Sequence, residues 1–325
     1  MRQRLVAVVM MTVLAGTSSA FAVRDSSAST RRVTSSVANA TPQTSRVRIA
    51  LTFDDLPWAG LPRDAAERKA GDARLLETLK RHRAPATGFV NCGKIRGDAS
   101  SLRAWLAAGH TLGNHTWHHH SLDVVGAQRW LEDVRTCDST LRTLLGTSAQ
   151  YFRYPMLRQG STRARRDSAA RGLAAMGYRN GHVSIDNADF LVERPYTQAL
   201  QAGDRTAVEA ITALYVEHMR TMLRHAREVA QRKLGRDVAH IMLLHVGQLN
   251  ADVLDRLLRA LEADGAEFVS LETALSDPVY ALPEVYVGPR GLSWLYRIAP
   301  VDPADEAWDS AEAVRVERAL ARHAR

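Results

Sequence analysis

Cysteine is scarce in this chain: its 325 residues include only Cys92 and Cys137. One disulfide is therefore the most it can form within itself, and no cysteine lies near the N-terminus to carry a lipid. Cys92 reads as a strand end and Cys137 as mid-helix. Spacing alone does not say whether their Cα atoms come within bridging range, so a bridge and a pair of buried thiols both stay open. A long apolar run is also missing near the start, since Leu5 to Leu14 is too short for a permanent membrane-spanning helix. That run follows Arg2 and Arg4 and precedes Ala20-Phe-Ala22, small residues at the two positions a signal peptidase reads. Residues 1–22 are thus expected to be a signal peptide cut after Ala22, with an uncleaved anchor as the alternative. The expected product is secreted or periplasmic, without stable membrane insertion.

Charge of one sign is not segregated. The net charge is +8, and falls to +6 without residues 1–22, but Lys and Arg are interspersed with Asp and Glu along Arg63 to Arg83 and Arg129 to Arg142. A solvated helical surface accounts for this pattern, so no nucleic-acid partner is expected. Val23 to Ser45 is Ser, Thr, Ala and Arg with almost no large apolar side chain, which predicts a flexible leader. The remainder is long enough, at 46% hydrophobic overall, to bury one large core.

From Arg46 onward, apolar strand-like runs alternate with helical patterns. Strands are predicted at Arg48–Phe53, Ala86–Asn91, Thr111–Asn114, Tyr151–Tyr154, Tyr178–Ile185, Ile241–Leu244 and Glu267–Leu271. Helices are predicted at Ala65–His82, Ser100–Ala108, Gly126–Leu144, Thr162–Met176, Thr206–Lys233 and Ala251–Asp264. Such alternation means a parallel α/β sheet with crossover helices, and seven units of it suggest a closed or nearly closed barrel. Glu193 to Arg232 is longer than one crossover needs and predicts an added helical wall or lid. Residues 276–325 read as an extension packing on the barrel, with a charged, helical tail from Asp302; Trp294 and Tyr296 are expected to pack rather than to stack on a ligand.

Parallel barrels carry their chemistry where strands end, and here those ends are polar. Asp54 and Asp55 close the first strand. His115 and His119, four apart in His115-Thr-Trp-His-His-His120, follow the third. If that loop turns helical, both imidazoles lie on one face and grip one ion, and two adjacent acids can supply a ligand and leave a base. Taken alone, the acid pair reads more readily as a cap on the loop that leads to the next helix. His118 and His120 fall off that face, and His110 reads as structural. Arg153 in Phe152-Arg-Tyr-Pro155 can form a fixed fork with a carboxylate. Asp186 and Asp189 close the fifth strand, and His245 ends the apolar run Met242-Leu-Leu, where a general acid can be desolvated.

These five strand ends, in this order, resemble the polysaccharide deacetylases of the NodB-homology type, carbohydrate esterase family 4. The resemblance rests on Thr52-Phe53-Asp54-Asp55, His115-Thr116-Trp117-His118-His119, Arg153-Tyr154-Pro155-Met156, Asp186 with Asp189, and Met242-Leu243-Leu244-His245. It covers about Arg46 to Leu275, and its first two motifs are the specific ones. It implies a distorted (β/α)7 barrel of the polysaccharide deacetylase type. It further implies a divalent metal on Asp55, His115 and His119, usually zinc, with cobalt, nickel or manganese as alternatives. Asp54 would be the general base, held by Arg153, and His245 the general acid, oriented by Asp186. The Met156 backbone amide, with Tyr154 beside it, would face the substrate and its oxyanion. The chain departs from the pattern at Met156-Leu157-Arg158, which replaces the usual sugar-facing end, and at Phe190, where many members carry Trp. The implied activity is hydrolysis of N-acetyl, or secondarily O-acetyl, groups on an extracytoplasmic glycan. A glycan-binding protein of the same fold and a hydrolase of small non-sugar amides are the competing readings.

Overall fold

The computed structural model describes residues 46–60 and 64–323; the expected signal peptide and leader lie outside the described residues. These residues fall in one compact unit. The elements run β1 (Val47–Leu56), α1 (Ala65–Arg81), β2 (Ala86–Val90), α2 (Ser100–Ala107), β3 (Thr111–Asn114), α3 (Leu122–Val125), α4 (Ala127–Leu145), β4 (Tyr151–Phe152), α5 (Arg163–Ala175), β5 (Arg179–Asn180), α6 (Asp189–Gln201), α7 (Arg205–Leu234), β6 (His240–His245), α8 (Gln248–Ala263), β7 (Ala266–Phe268), α9 (Leu271–Leu275), α10 (Trp294–Arg297) and α11 (Pro303–Ala321).

All strand pairs are parallel, in the order β5-β4-β3-β2-β1-β6, with β7 on the N-terminal end of β1. The predicted strand Tyr178–Ile185 is split in two. Its first half pairs with β4, whereas Ser184 and Ile185 donate to the Ile241 carbonyl, both at 3.0 Å, and Leu243 donates back to Ile185 at 3.1 Å. One segment therefore bridges both edges of the curled sheet, which is how a distorted barrel closes with only seven short strands. Crossover helices cover the outside, and β2 is buried along its whole length, as a strand sandwiched between barrel interior and helices must be.

Local signals explain where the helices begin. Asp64 caps α1 in a capping box, with the Glu67 amide donating to its Oδ1 at 2.8 Å and Glu67 Oε2 accepting from the Asp64 amide at 3.4 Å. The added wall is real: α6 precedes the 30-residue α7, with Glu193 of α6 accepting from the Gln248 and Leu249 amides, both at 2.9 Å, at the start of α8. Trp294 and Tyr296 are buried, and the Trp294 indole N–H donates to the Val279 carbonyl at 2.7 Å. Cys92 and Cys137 are joined in a disulfide, with Cα atoms 5.3 Å apart. Among the described residues no helix is long and apolar enough to cross a membrane.

Candidate active site

Consecutive strand residues normally face opposite sides of a sheet, so two adjacent acids should not share a site. A bulge overcomes this. Between Phe53 and Leu56 the β1–β2 register slips, and Asp55 adopts φ 67°, which turns its carboxylate toward the same mouth as that of Asp54.

Asp54 is buried and lies opposite His245 in the β1–β6 register. Its Oδ1 accepts from Arg153 Nη1 at 3.0 Å. The same guanidinium reaches Thr52 Oγ1 at 3.0 Å, donates through Nε to the Gly181 carbonyl, and lies over the Phe89 ring at 4.4 Å. Burial pushes the Asp54 carboxyl up from its ordinary value while the Arg153 charge opposes the rise.

The loop after β3 is not helical, contrary to the expectation from the four-residue histidine spacing. Thr116 and His119 have positive φ, 68° and 60°, and side chains hold the turns: the Thr116 amide donates to Asn114 Oδ1 at 2.8 Å, and the His119 amide to Thr116 Oγ1 at 3.0 Å. Asp133 of α4 clamps the outer side by accepting from the Trp117 and His118 amides, each at 3.0 Å. His118 is exposed, bonded to Asp133 and stacked on His120; His110 packs edge-on against Trp105. The loop still brings His115 Nε2 and His119 Nε2 to 3.2 Å from each other, with Asp55 Oδ1 at 3.8 and 3.4 Å from them respectively.

These three residues fit a divalent cation. His115 Nδ1 must carry its proton, because it donates to the Arg153 carbonyl at 2.8 Å, which leaves a lone pair on Nε2 of the neutral ring. Burial lowers both imidazoles to about 4, keeping them neutral. Burial pushes Asp55 up, but the His115 and His119 rings and the Lys94 ammonium together hold it well below the usual carboxylate range. Asp55 Oδ1 is buried without a hydrogen-bond partner, and the three ligand atoms lie within 4.8 Å of one another. Acceptor atoms converging without a donor are what a metal site looks like before its cation.

His245 sits across the mouth. Its Nδ1 donates to Asp189 Oδ1 and its amide to Asp189 Oδ2, each at 2.8 Å. Although burial lowers the ring's affinity for protons, Asp189 outweighs it and raises His245 to about 9. The resemblance assigned this orienting role to Asp186, and the geometry corrects it: Asp186 Oδ1 accepts from its neighbour's amide, Asn187, at 2.9 Å, while burial raises its carboxyl to about 6. Asp189 wins because it opens α6 and points back under β6. Asn250 secures the pair, donating to Asp189 Oδ2 at 3.1 Å and to the His245 carbonyl at 2.8 Å.

Asp54, Asp55, His115, His119, Asp189 and His245 border a cavity of about 520 Å³ that Met156 and Phe190 also line. Met156 turns at φ 52°, and a Cβ on Gly291 of the C-terminal extension would fall 1.9 Å from its carbonyl oxygen, so only glycine fits there. Tyr154 does not face the cavity. Its ring is buried and stacked on Trp130 at 5.1 Å, which corrects its expected placement beside the substrate. Phe190 stands 6.2 Å from the His245 ring but is largely exposed, so it shields the imidazole only from one side. Lys94, Asp133, Glu193 and Asn250 went unassigned from the sequence. Each acts across long separations and has no local signature.

A curled parallel barrel thus gathers three candidate metal ligands, a second buried carboxylate and a carboxylate-backed histidine at its C-terminal mouth, an arrangement with the parts that metal-assisted hydrolysis requires. Over residues 41–180 the chain matches the family model described as polysaccharide deacetylase. It is 27% identical over 160 residues to a chitin deacetylase of Colletotrichum lindemuthianum, covering 47% of this chain and 57% of that one. It is 29% identical over 143 residues to a chitooligosaccharide deacetylase of Rhizobium leguminosarum bv. trifolii, covering 44% and 59%. The matches thus span a little over half the length of these two relatives. Among solved structures, a family 4 pseudoenzyme of Bacillus anthracis superposes with a TM-score of 0.50 at 15% identity, over 71% of this chain and 66% of that one. That likeness concerns the fold.

Proposed function

We propose that this protein is a divalent-metal-dependent hydrolase that removes acetyl groups, chiefly N-acetyl, from an extracytoplasmic glycan. The observation that carries the reading is the division of labour between two adjacent acids: Asp55 Oδ1 converges with both imidazole nitrogens, whereas Asp54, whose Oδ2 lies 3.8 Å from His115 Nε2, is held through Oδ1 by Arg153 at 3.0 Å, as suits a base beside the cation. A divalent ion on Asp55, His115 and His119, zinc or else cobalt, nickel or manganese, would supply Lewis-acid polarisation of the acyl oxygen and make a water more acidic.

Asp54 then takes a proton from the attacking water, with Arg153 keeping the carboxylate oriented. As the C–N bond breaks, His245 delivers its Nε2 proton to the departing nitrogen, and Asp189 compensates the imidazolium until that moment. The Met156 amide is proposed to donate to the developing oxyanion. Acetate and a free amine leave. Secretion follows from the N-terminal pattern Arg2 to Ala22 and is tested by N-terminal sequencing of exported protein.

The decisive assay is acetate release from a panel of N-acetylated and O-acetylated glycans. Asp54→Asn should abolish release while metal content stays at the wild-type level; retained turnover in that variant would remove Asp54 from the role. Wild-type protein that binds acetylated glycan without releasing acetate would instead establish a glycan-binding protein, and release confined to small non-sugar amides would establish the third reading.

A further inference from the structure

We infer that Lys94 is a positioning residue that restricts Asp55 to a single ligating oxygen. This rests on the metal reading given above and adds a role for a residue outside the ligand set. Lys94 Nζ lies 3.0 Å from Asp55 Oδ2, while Oδ1 faces His115 Nε2 and His119 Nε2. The two oxygens of one carboxylate are therefore divided between two tasks. A carboxylate beside a dication can chelate with both oxygens, and a second oxygen from Asp55 would occupy a position that the water or the acyl oxygen needs. The ammonium competes for Oδ2, keeps it turned away, and drains charge from the ligand.

The segment that carries Lys94 is fastened to the histidine loop. Lys94 ends a 3-10 turn, Cys92–Lys94. From that turn the Cys92 and Gly93 amides donate to the Thr116 and Trp117 carbonyls, each at 3.1 Å. A Cβ on Gly93 would lie 2.6 Å from the Trp117 carbonyl oxygen, so the approach requires glycine. The disulfide to Cys137 ties the turn to α4, whose Asp133 clamps the same loop from outside. Lys94, Asp55 and both histidines therefore share one frame, and their relative positions are set before any cation arrives. Burial does not force the contact, since the Lys94 side chain is 36% exposed and its charge could turn to water. A partly exposed pair of this kind adds little to stability, so replacing the lysine should leave the fold intact.

The test compares Lys94→Met and Lys94→Arg with wild type after metal removal and reloading with cobalt(II) or zinc. In Lys94→Met the visible cobalt absorption should weaken as a second oxygen enters the coordination sphere. Cobalt and zinc should bind roughly tenfold tighter once a positive charge has left the site, and kcat should fall with KM little changed. Lys94→Arg should restore all three. A wild-type cobalt spectrum and affinity in Lys94→Met, or weaker binding, overturns the inference. Asp55→Ala protein that keeps its metal overturns the metal reading itself.

Discussion

The assignment of Asp189 rather than Asp186 as the partner of His245 has a direct kinetic consequence. The rise of His245 from 6.5 to about 9, opposed by burial and driven first by Asp189, corresponds to roughly 3 kcal/mol of preference for the protonated ring. An acid that must be protonated is lost as pH climbs through its pKa, so wild-type kcat/KM should fall on the alkaline side. Asp189→Asn keeps the shape but removes the charge, and burial then dominates. The alkaline limb should move below the ordinary histidine value, leaving a few per cent of the acid protonated at pH 8 and costing about 30-fold or more in kcat/KM there. A bound dication lowers this limb in wild type and variant alike, so the difference between the two profiles is the readout. Asp186→Asn, with no hydrogen bond to the ring, should leave the limb in place. An unmoved limb in Asp189→Asn together with a displaced one in Asp186→Asn would refute the assignment.

Three further outcomes follow from the same contacts. Arg153→Met strands the buried Asp54 carboxylate and should lower unfolding free energy by about 3–5 kcal/mol in denaturant titration, far more than removal of a surface arginine. Reducing the Cys92–Cys137 bridge, 45 residues apart in sequence, should cost roughly 4 kcal/mol on the chain-entropy estimate, read as a lower midpoint in urea with and without reductant. Asp55→Ala and His119→Ala should lose metal, by at least about 10–100-fold in affinity measured by elemental analysis after dialysis, while Asp54→Asn keeps it.

The parallel α/β class, the polar strand ends and their chemical types were legible because each is written in a short run: alternation of element types, Thr52 to Asp55, and Met242 to His245. What was not legible depends on where the chain turns. The four-residue spacing of His115 and His119 pointed to a helical turn, yet positive φ at Thr116 and His119, stabilised by Asn114 and Asp133, reaches the same convergence without one. Asp186 and Asp189 carry identical chemistry three residues apart, and only the start of α6 decides which of them lies under His245. Tyr154 belongs to the core because Trp130, on a helix two elements earlier, offers its face.

The segment from Arg179 to Ile185 works as a ruler between Asp54 and His245, the proposed base and acid of the site. Its early part fixes Arg153, and through it Asp54, by way of the Gly181 carbonyl; its late part is hydrogen-bonded to β6, the strand that delivers His245. A Cβ on Gly181 would meet the Phe89 ring at 2.5 Å, so the segment cannot slide sideways to absorb a change in length. Adding or deleting one residue there would shift base and acid relative to each other along the substrate. Length variation in this protein should therefore be tolerated in the outer helices and refused between Gly181 and Ile185, however exposed the neighbouring surface.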